Sequence, residues 1–263
     1  MTFEIISFGL IGILAGILSG LLGIGGGIVT IPLLLLIFNQ LEIPSSAIMH
    51  LAIGTSLAAM VFNTLSASYS HYKKEAVLFD IVKPMSLGVI VGAIIGALIA
   101  RIASSSFLQI FFGVFEALLG IRFLLPEPKI VKERKRPSFW GLSTISLGVT
   151  TLSTMLGLGG GIINVPILTH FNVPVKKAIG TSSALSFLIS LFGALFFLLM
   201  GMHSTPVDDT VGYLYIPAFI IISIISFFAA PYGVKLAHRL PTKILKRVFG
   251  LVLLIAGAIM IFT

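Results

Sequence analysis

The sequence predicts an all-α polytopic membrane protein built as two inverted repeats of five segments, and three observations predict it. The 263-residue chain is 57% hydrophobic and 10% charged, with mean hydropathy +1.13, whereas soluble domains carry about 25% charged residues. Apolar stretches recur along the whole chain, and the uncharged one from Ile5 to Gln40 alone exceeds the roughly 20 residues that cross a bilayer. A glycine pattern also occurs twice. "LLGIGGGIVTIPLLLL" runs from Leu21 to Leu36 and "MLGLGGGIINVPILTH" from Met155 to His170, with Gly23, Gly25, Gly26, Gly27 and Pro32 each recurring 134 positions later.

The apolar segments run over 5–22, 28–38, 48–68, 84–100 and 106–125, then over 139–156, 162–171, 178–202, 213–234 and 244–263. The first begins in "MTFEIISFGL", which lacks the basic start and small-residue cleavage site of a secretory signal, so it is expected to be a membrane helix. The second, 28–38, covers only about 16 Å at the helical rise, near half the hydrocarbon thickness. Segment 162–171 is as short, so these two are expected to be half-helices following the Gly-rich breaks, beside about eight full spans. Segment 48–68 carries "IGTS" at Ile53–Ser56, which recurs at Ile179–Ser182 inside 178–202. Segment 106–125 carries Phe112-Gly113, matched by Phe249-Gly250 in the last segment. Each set of five therefore reads long, short, long, long, long, and an odd number of segments inserts the second set with opposite orientation. The expected organisation is an N-terminal repeat over 1–125, a basic linker over 126–138 and a C-terminal repeat over 139–263.

Charge supplies an independent check, because lysine and arginine collect on the cytoplasmic side. With the linker "EPKIVKERKRPS" inside, the alternation also places 71–83, 172–177 and 235–247 inside. These four stretches hold fifteen of the seventeen lysines and arginines. Arg122 lies near a cytoplasmic helix end and can snorkel, leaving Arg101 outside. Both termini are then extracytoplasmic, and Trp140 suits an interfacial anchor. The net charge of +8 is spent on topology, and with no basic face on a soluble domain, nucleic acid is not an expected partner.

Three consecutive glycines in an apolar helix each cost about 1 kcal/mol relative to alanine, so a purely structural chain would avoid them. Inverted repeats with helices broken by glycine occur in secondary transporters, where half-helix N-termini face anionic groups. The N–H groups of Gly25, Gly26 and Gly27, and of Gly159, Gly160 and Gly161, can donate to an anion. Close helix packing through small residues is the competing reading. Thr55 and Ser56, with Thr181 and Ser182 in the second half, are either oxyanion donors beside these turns or hydroxyls bonded back to their own helices. Asn63 and Asn164 either line the path or bridge helices. Glu116, in "FFGVFEALLG", is a carboxylate at the centre of an apolar segment; such groups often mark proton or ion routes, but a neutral carboxyl bonded across helices fits equally. Its repeat counterpart is Leu253.

No cysteine is present, so thiol chemistry and disulfides are excluded. The histidines have no metal-ligand spacing on one helix. There is no phosphate-binding G-x-x-x-x-G-K-[ST] loop, and Ile28 and Ile162 stand where G-x-G-x-x-G needs its last glycine. Neither an enzyme, a cofactor nor a metal is expected.

The doubled GxGGGxxxxP, a GTS after each, "HYKK" closing one hairpin, and "APYGVKLAHRLPTKILKRVFG" near the end resemble the TauE/SafE family of sulfite exporter-like permeases. The resemblance covers nearly the whole chain. It implies an inner-membrane transporter of bacteria or archaea, whose characterised relatives are linked to export of sulfite, sulfoacetate and similar small organosulfur anions. One departure is the stretch between Pro32 and Gly54, with 21 intervening residues against 13 between Pro166 and Gly180. The expected function is secondary transport of a small anion, with a passive anion channel and a non-transporting membrane assembly factor as the rivals.

Overall fold

A computed structural model describes residues 2–125, 136–202 and 207–262. Most of the basic linker therefore lies outside the described residues. Among those described, the chain forms ten α-helices and one short hairpin: α1 (Thr2–Leu22), α2 (Gly27–Gln40), α3 (Ile48–Tyr72), α4 (Phe79–Ile102), α5 (Ser105–Leu124), α6 (Phe139–Met155), α7 (Gly161–His170), α8 (Val175–Gly201), β1 (Thr210–Val211), β2 (Leu214–Tyr215), α9 (Ile216–Arg239) and α10 (Thr242–Phe262). This is an all-α polytopic membrane protein. Seven helices are long and apolar enough to cross a bilayer, and α6, with 17 residues, falls just short of that length. The two helices after the glycine breaks are the shortest, 14 residues for α2 and 10 for α7.

The ten helices follow the ten apolar segments in order, and their packing repeats. Pairing α1 with α6, α2 with α7, α3 with α8, α4 with α9 and α5 with α10 exchanges the main interfaces: α1 lies along α9 as extensively as α6 along α4. The contact of α3 with α9 matches that of α8 with α4, and α3–α8 and α5–α10 map onto themselves. Lipid tails are as apolar as leucine, so these interfaces draw on close backbone approach. Gly12, Gly16 and Gly20 of α1 face α9; a Cβ at Gly20 would lie 2.1 Å from the Ala230 carbonyl oxygen. Gly88, Gly92 and Gly96 of α4 do the same against α6, where a Cβ at Gly88 would lie 2.1 Å from the Ser143 carbonyl oxygen. Gly113 and Gly120 of α5 meet Gly257 and Gly250 of α10.

The centre of the bundle is α3, whose apolar window is 83% buried, with α8 beside it. Long exposed apolar rows, such as Phe107, Ile110, Val114, Leu118 and Ile121 on α5, form the outer, lipid-facing surface. The β-hairpin before α9 has no counterpart among the expected segments.

Candidate functional site

Each glycine break ends one helix and starts another through left-handed backbone. Gly23, Gly25 and Gly26 have φ of +70°, +83° and +81°, and Gly157 and Gly160 have +68° and +74°, a region that L-residues with a Cβ rarely enter. Gly26 and Gly160 are the N-caps of α2 and α7, and neither receives a side-chain cap. The carbonyl of Gly26 accepts from the N–H groups of Val29 and Thr30, both at 3.1 Å, and that of Gly160 from Ile163 at 3.1 Å and Asn164 at 2.8 Å. Among the described residues, the N–H groups of Gly25, Gly26, Gly27 and Ile28, and of Gly159, Gly160, Gly161 and Ile162, have no hydrogen-bond partner. All eight residues are buried. Buried backbone donors without a partner are rare in native proteins, and here they form two runs of four at the positive ends of two helices.

The two turns pack directly on each other. A Cβ at Gly27 would lie 2.4 Å from the Gly157 carbonyl oxygen, and one at Gly161 would lie 2.3 Å from that of Gly23. No side chain fits between them, so the glycines at this crossing are set by contact as well as by dihedral angle. Pro32 and Pro166 fall inside α2 and α7; lacking an N–H, they leave the Ile28 and Ile162 carbonyls without the usual helical donor.

The IGTS segments lie two turns inside α3 and α8 rather than at their starts, and each reaches into the opposite half. A Cβ at Gly54 would lie 2.2 Å from the Tyr213 carbonyl oxygen, and one at Gly180 would lie 2.5 Å from that of Ala76. Thr55 Oγ1 accepts from the Tyr215 N–H at 2.9 Å, and Thr181 Oγ1 accepts from the Leu78 N–H at 3.0 Å. Tyr215 and Leu78 are the N-caps of α9 and α4, so each threonine receives a donor at the start of a helix in the other half and keeps its own hydroxyl proton. Ser56 Oγ donates to the Gly157 carbonyl at 3.5 Å, and Ser182 Oγ donates to that of Gly23 at 3.3 Å. Both bonds are long and both hold the carbonyl of the opposite turn.

Asn63 lies on the face of α3 that includes Met60 and Thr64, at i, i+3 and i+4 spacing. A Cβ at Gly25 would lie 2.9 Å from Met60 Sδ and 3.2 Å from Thr64 Cγ2, which puts this face against the first turn. Both carboxamide atoms of Asn63 are buried without a partner among the described residues, as is Asn164 Oδ1. Asn164 stands at the second turn, with Nδ2 3.2 Å from where a Gly160 Cβ would be. Glu116 is set apart from this crossing. It lies between Gly113 and Gly120 on the α5–α10 pair, is wholly buried, and has no partner for either carboxyl oxygen among the described residues.

Several polar residues at the crossing carry no motif. Ser186 Oγ donates to the Gly23 carbonyl at 3.0 Å and also contacts the Gly159 carbonyl. Thr64 Oγ1 and Ser190 Oγ, equivalent positions of the two halves, meet at 3.3 Å. Ser19 and Ser153 both have buried hydroxyls with no partner among the described residues, and their separation of 134 positions, the spacing of the glycine motifs, is the sequence signal that marks them. Among the described residues, no group of three or more His, Cys, Asp or Glu could hold a metal ion, and the buried polar side chains include neither lysine nor arginine.

Comparison with known proteins covers nearly the whole chain. The profile of the family described as "Sulfite exporter TauE/SafE" matches residues 8–260. A "Probable membrane transporter protein" of Haemophilus influenzae is 31% identical over 260 residues, covering 94% of each chain. One of Methanocaldococcus jannaschii is 29% identical over 261 residues, covering 96% of this chain and 93% of its own. One of Bacillus subtilis is 26% identical over 271 residues, covering 96% of this chain and 95% of its own. No solved structure matches significantly.

Proposed function

The chain belongs to the sulfite exporter TauE/SafE family of membrane transporters, and on that premise we propose that it is a secondary transporter of small anions, sulfite or organosulfonates, across the cytoplasmic membrane. Its two halves insert with opposite orientation and both termini are extracytoplasmic. The observation that carries the reading is the pair of N–H runs at Gly25–Ile28 and Gly159–Ile162, eight buried donors without a partner among the described residues. Donors at helix N-termini favour anions, and a tetrahedral or pyramidal oxyanion has several acceptor oxygens to receive them. Asn63 and Asn164 add carboxamide donors. Thr55 and Thr181 retain a hydroxyl proton, and the long bonds from Ser56 and Ser182 exchange readily for an anion. Glu116 carries the proton that drives transport, since an unpartnered carboxyl inside a membrane bundle is costly and marks such a route.

Purified protein in proteoliposomes, offered sulfite, sulfate, thiosulfate, sulfoacetate and taurine, tests this directly. Saturable uptake of one of the sulfur oxyanions, raised by an imposed pH gradient, is the expected result. Flux that does not saturate and ignores the gradient identifies a passive channel. No flux with any of the five refutes the transport reading in favour of an assembly role.

A further inference from the structure

The anion proposed at the crossing meets no lysine or arginine among the buried polar side chains, and an ionisable group from another helix meets the end of α1 just before the first turn. His71, buried near the end of α3, has Nε2 3.0 Å from the carbonyl oxygen of Gly20, three residues before the turn begins. Its Nδ1 lies 3.2 Å from Nε2 of His238 on α9. The carbonyl only accepts, so His71 Nε2 carries a proton and, in the neutral ring, Nδ1 is bare. The bare Nδ1 requires a donor, so His238 Nε2 also carries its proton, and the remaining bare nitrogen is Nδ1 of half-buried His238. The bonds run one way: His238 Nε2–H to His71 Nδ1, and His71 Nε2–H to Gly20.

We propose that the His71–His238 pair is a proton-binding site, which takes one proton from the side where α3 and α9 end and delivers it to the end of α1 behind the first glycine turn. The proposal rests on the anion-transport reading above for its role, though not for its chemistry. A proton that adds to His238 Nδ1 makes an imidazolium. The Nε2 proton then moves along the existing hydrogen bond to His71 Nδ1, and His238 is left neutral with its proton on Nδ1. His71 becomes the cation while its Nε2–H stays on the Gly20 carbonyl. That carbonyl is one of the last of α1, where the negative end of the helix dipole stabilises a protonated histidine. One proton fits, because a single N–H···N bond survives whichever ring holds it. A second proton places N–H against N–H and opens the contact between α3 and α9.

The charges facing the pair are Lys74, just beyond α3, and Lys176 of α8, whose Nζ donates to the His238 backbone carbonyl at 2.8 Å. Lys235 and Arg239 flank His238 on α9, and α1 contributes only the Gly20 carbonyl. These cations oppose any added proton, the charge of the first proton adds to them against a second, and the dipole of α1 helps to hold the first. At the offset that relates Thr55 to Thr181, His71 corresponds to Phe197, and at the offset that relates Leu78 to Tyr215, His238 corresponds to Arg101. The pair therefore joins the two halves at one place, its symmetry-related positions holding Phe197 and Arg101 instead of a second pair, and gives the two sides of the transporter different responses to pH.

The test uses the full chain with 15N-labelled histidine in lipid nanodiscs, the two rings being assigned by difference with His71→Gln and His238→Gln. At about pH 8 both rings should be neutral Nε2–H tautomers, and progressive acidification should load one proton shared between them before any second. In proteoliposomes, His238→Gln keeps a donor to His71 but cannot relay. Its pH-driven uptake should fall roughly five- to thirtyfold, the scale of a cation at a partly buried helix C-terminus, while anion affinity at about pH 8 is kept. Two rings that titrate independently, or His238→Gln with the pH profile of the native protein, would overturn the proposal. A shared proton in the spectra with no uptake of any anion upholds the proton site and refutes the transport reading instead.

Discussion

Replacing Asn63 by leucine should make the protein more stable and a poorer binder of its anion. The carboxamide is 1% exposed and neither its oxygen nor its nitrogen has a partner among the described residues. A buried polar group left without a hydrogen bond costs about 1–3 kcal/mol, and leucine is close to asparagine in size, so little strain offsets the gain. For a chain of this length each kcal/mol is worth roughly 2–4 °C in Tm, and Asn63→Leu should therefore melt several degrees higher without ligand. Its amide is also a donor on the face of α3 that abuts the first turn. A hydrogen bond to a charged partner contributes about 1.5–3 kcal/mol, so the affinity for sulfite should drop roughly 10- to 150-fold. Thermal unfolding in detergent and equilibrium binding on the same sample measure both quantities. Higher stability with unchanged affinity would show that Asn63 does not touch the anion. Lower stability with unchanged affinity would show that it bridges helices.

Other outcomes follow from the same geometry. Thr55→Val strands the buried N–H of Tyr215 at the start of α9 and should lower stability by about 1–3 kcal/mol, read by thermal unfolding; an unchanged melting temperature would mean that the hydrogen bond contributes nothing. Glu116→Gln should abolish uptake driven by a pH gradient while protein yield and sulfite binding persist, whereas native pH dependence would return Glu116 to a packing role. In this cysteine-free chain, a single cysteine at Ser138 should react only from the cytoplasm and one at Asp209 only from outside; labelling of both from one side would contradict the inverted arrangement.

The order of elements was legible because an apolar stretch and a glycine break are local signals. The starts of α2 at Gly27 and α7 at Gly161 follow from glycines that alone tolerate the left-handed turns before them, and the shortness of both helices follows from the segments themselves. The partners of the IGTS residues were not legible. Equivalence by repeat says that Thr55 and Thr181 do the same thing, but not that each reaches across to the other half, to Tyr215 and Leu78. Neither local alternative, a bond back to the same helix or a free donor at the turn, contains that answer, because it depends on how α3 and α8 cross. Glycines 12, 16 and 20 read as helix-packing spacing only once α9 is seen against them. His71 and His238 are 167 positions apart and have no counterparts in the other half, so symmetry gave no signal for them. Ser186, which holds two turn carbonyls, is hidden for the same reason, since Met60 occupies its equivalent place.

The central claim, that one anion is held by backbone donors from two glycine turns, is tested most directly by 15N-glycine NMR of the full chain in nanodiscs. Of the 27 glycines, those at 25, 26, 27, 159, 160 and 161 should show saturable downfield amide shifts on addition of sulfite, with one shared dissociation constant for both turns. Gly148, which has nothing within 4 Å of its would-be Cβ, should stay in place. Sulfite binding that leaves all six turn amides unmoved, or equal shifts produced by a cation such as choline, would contradict the account.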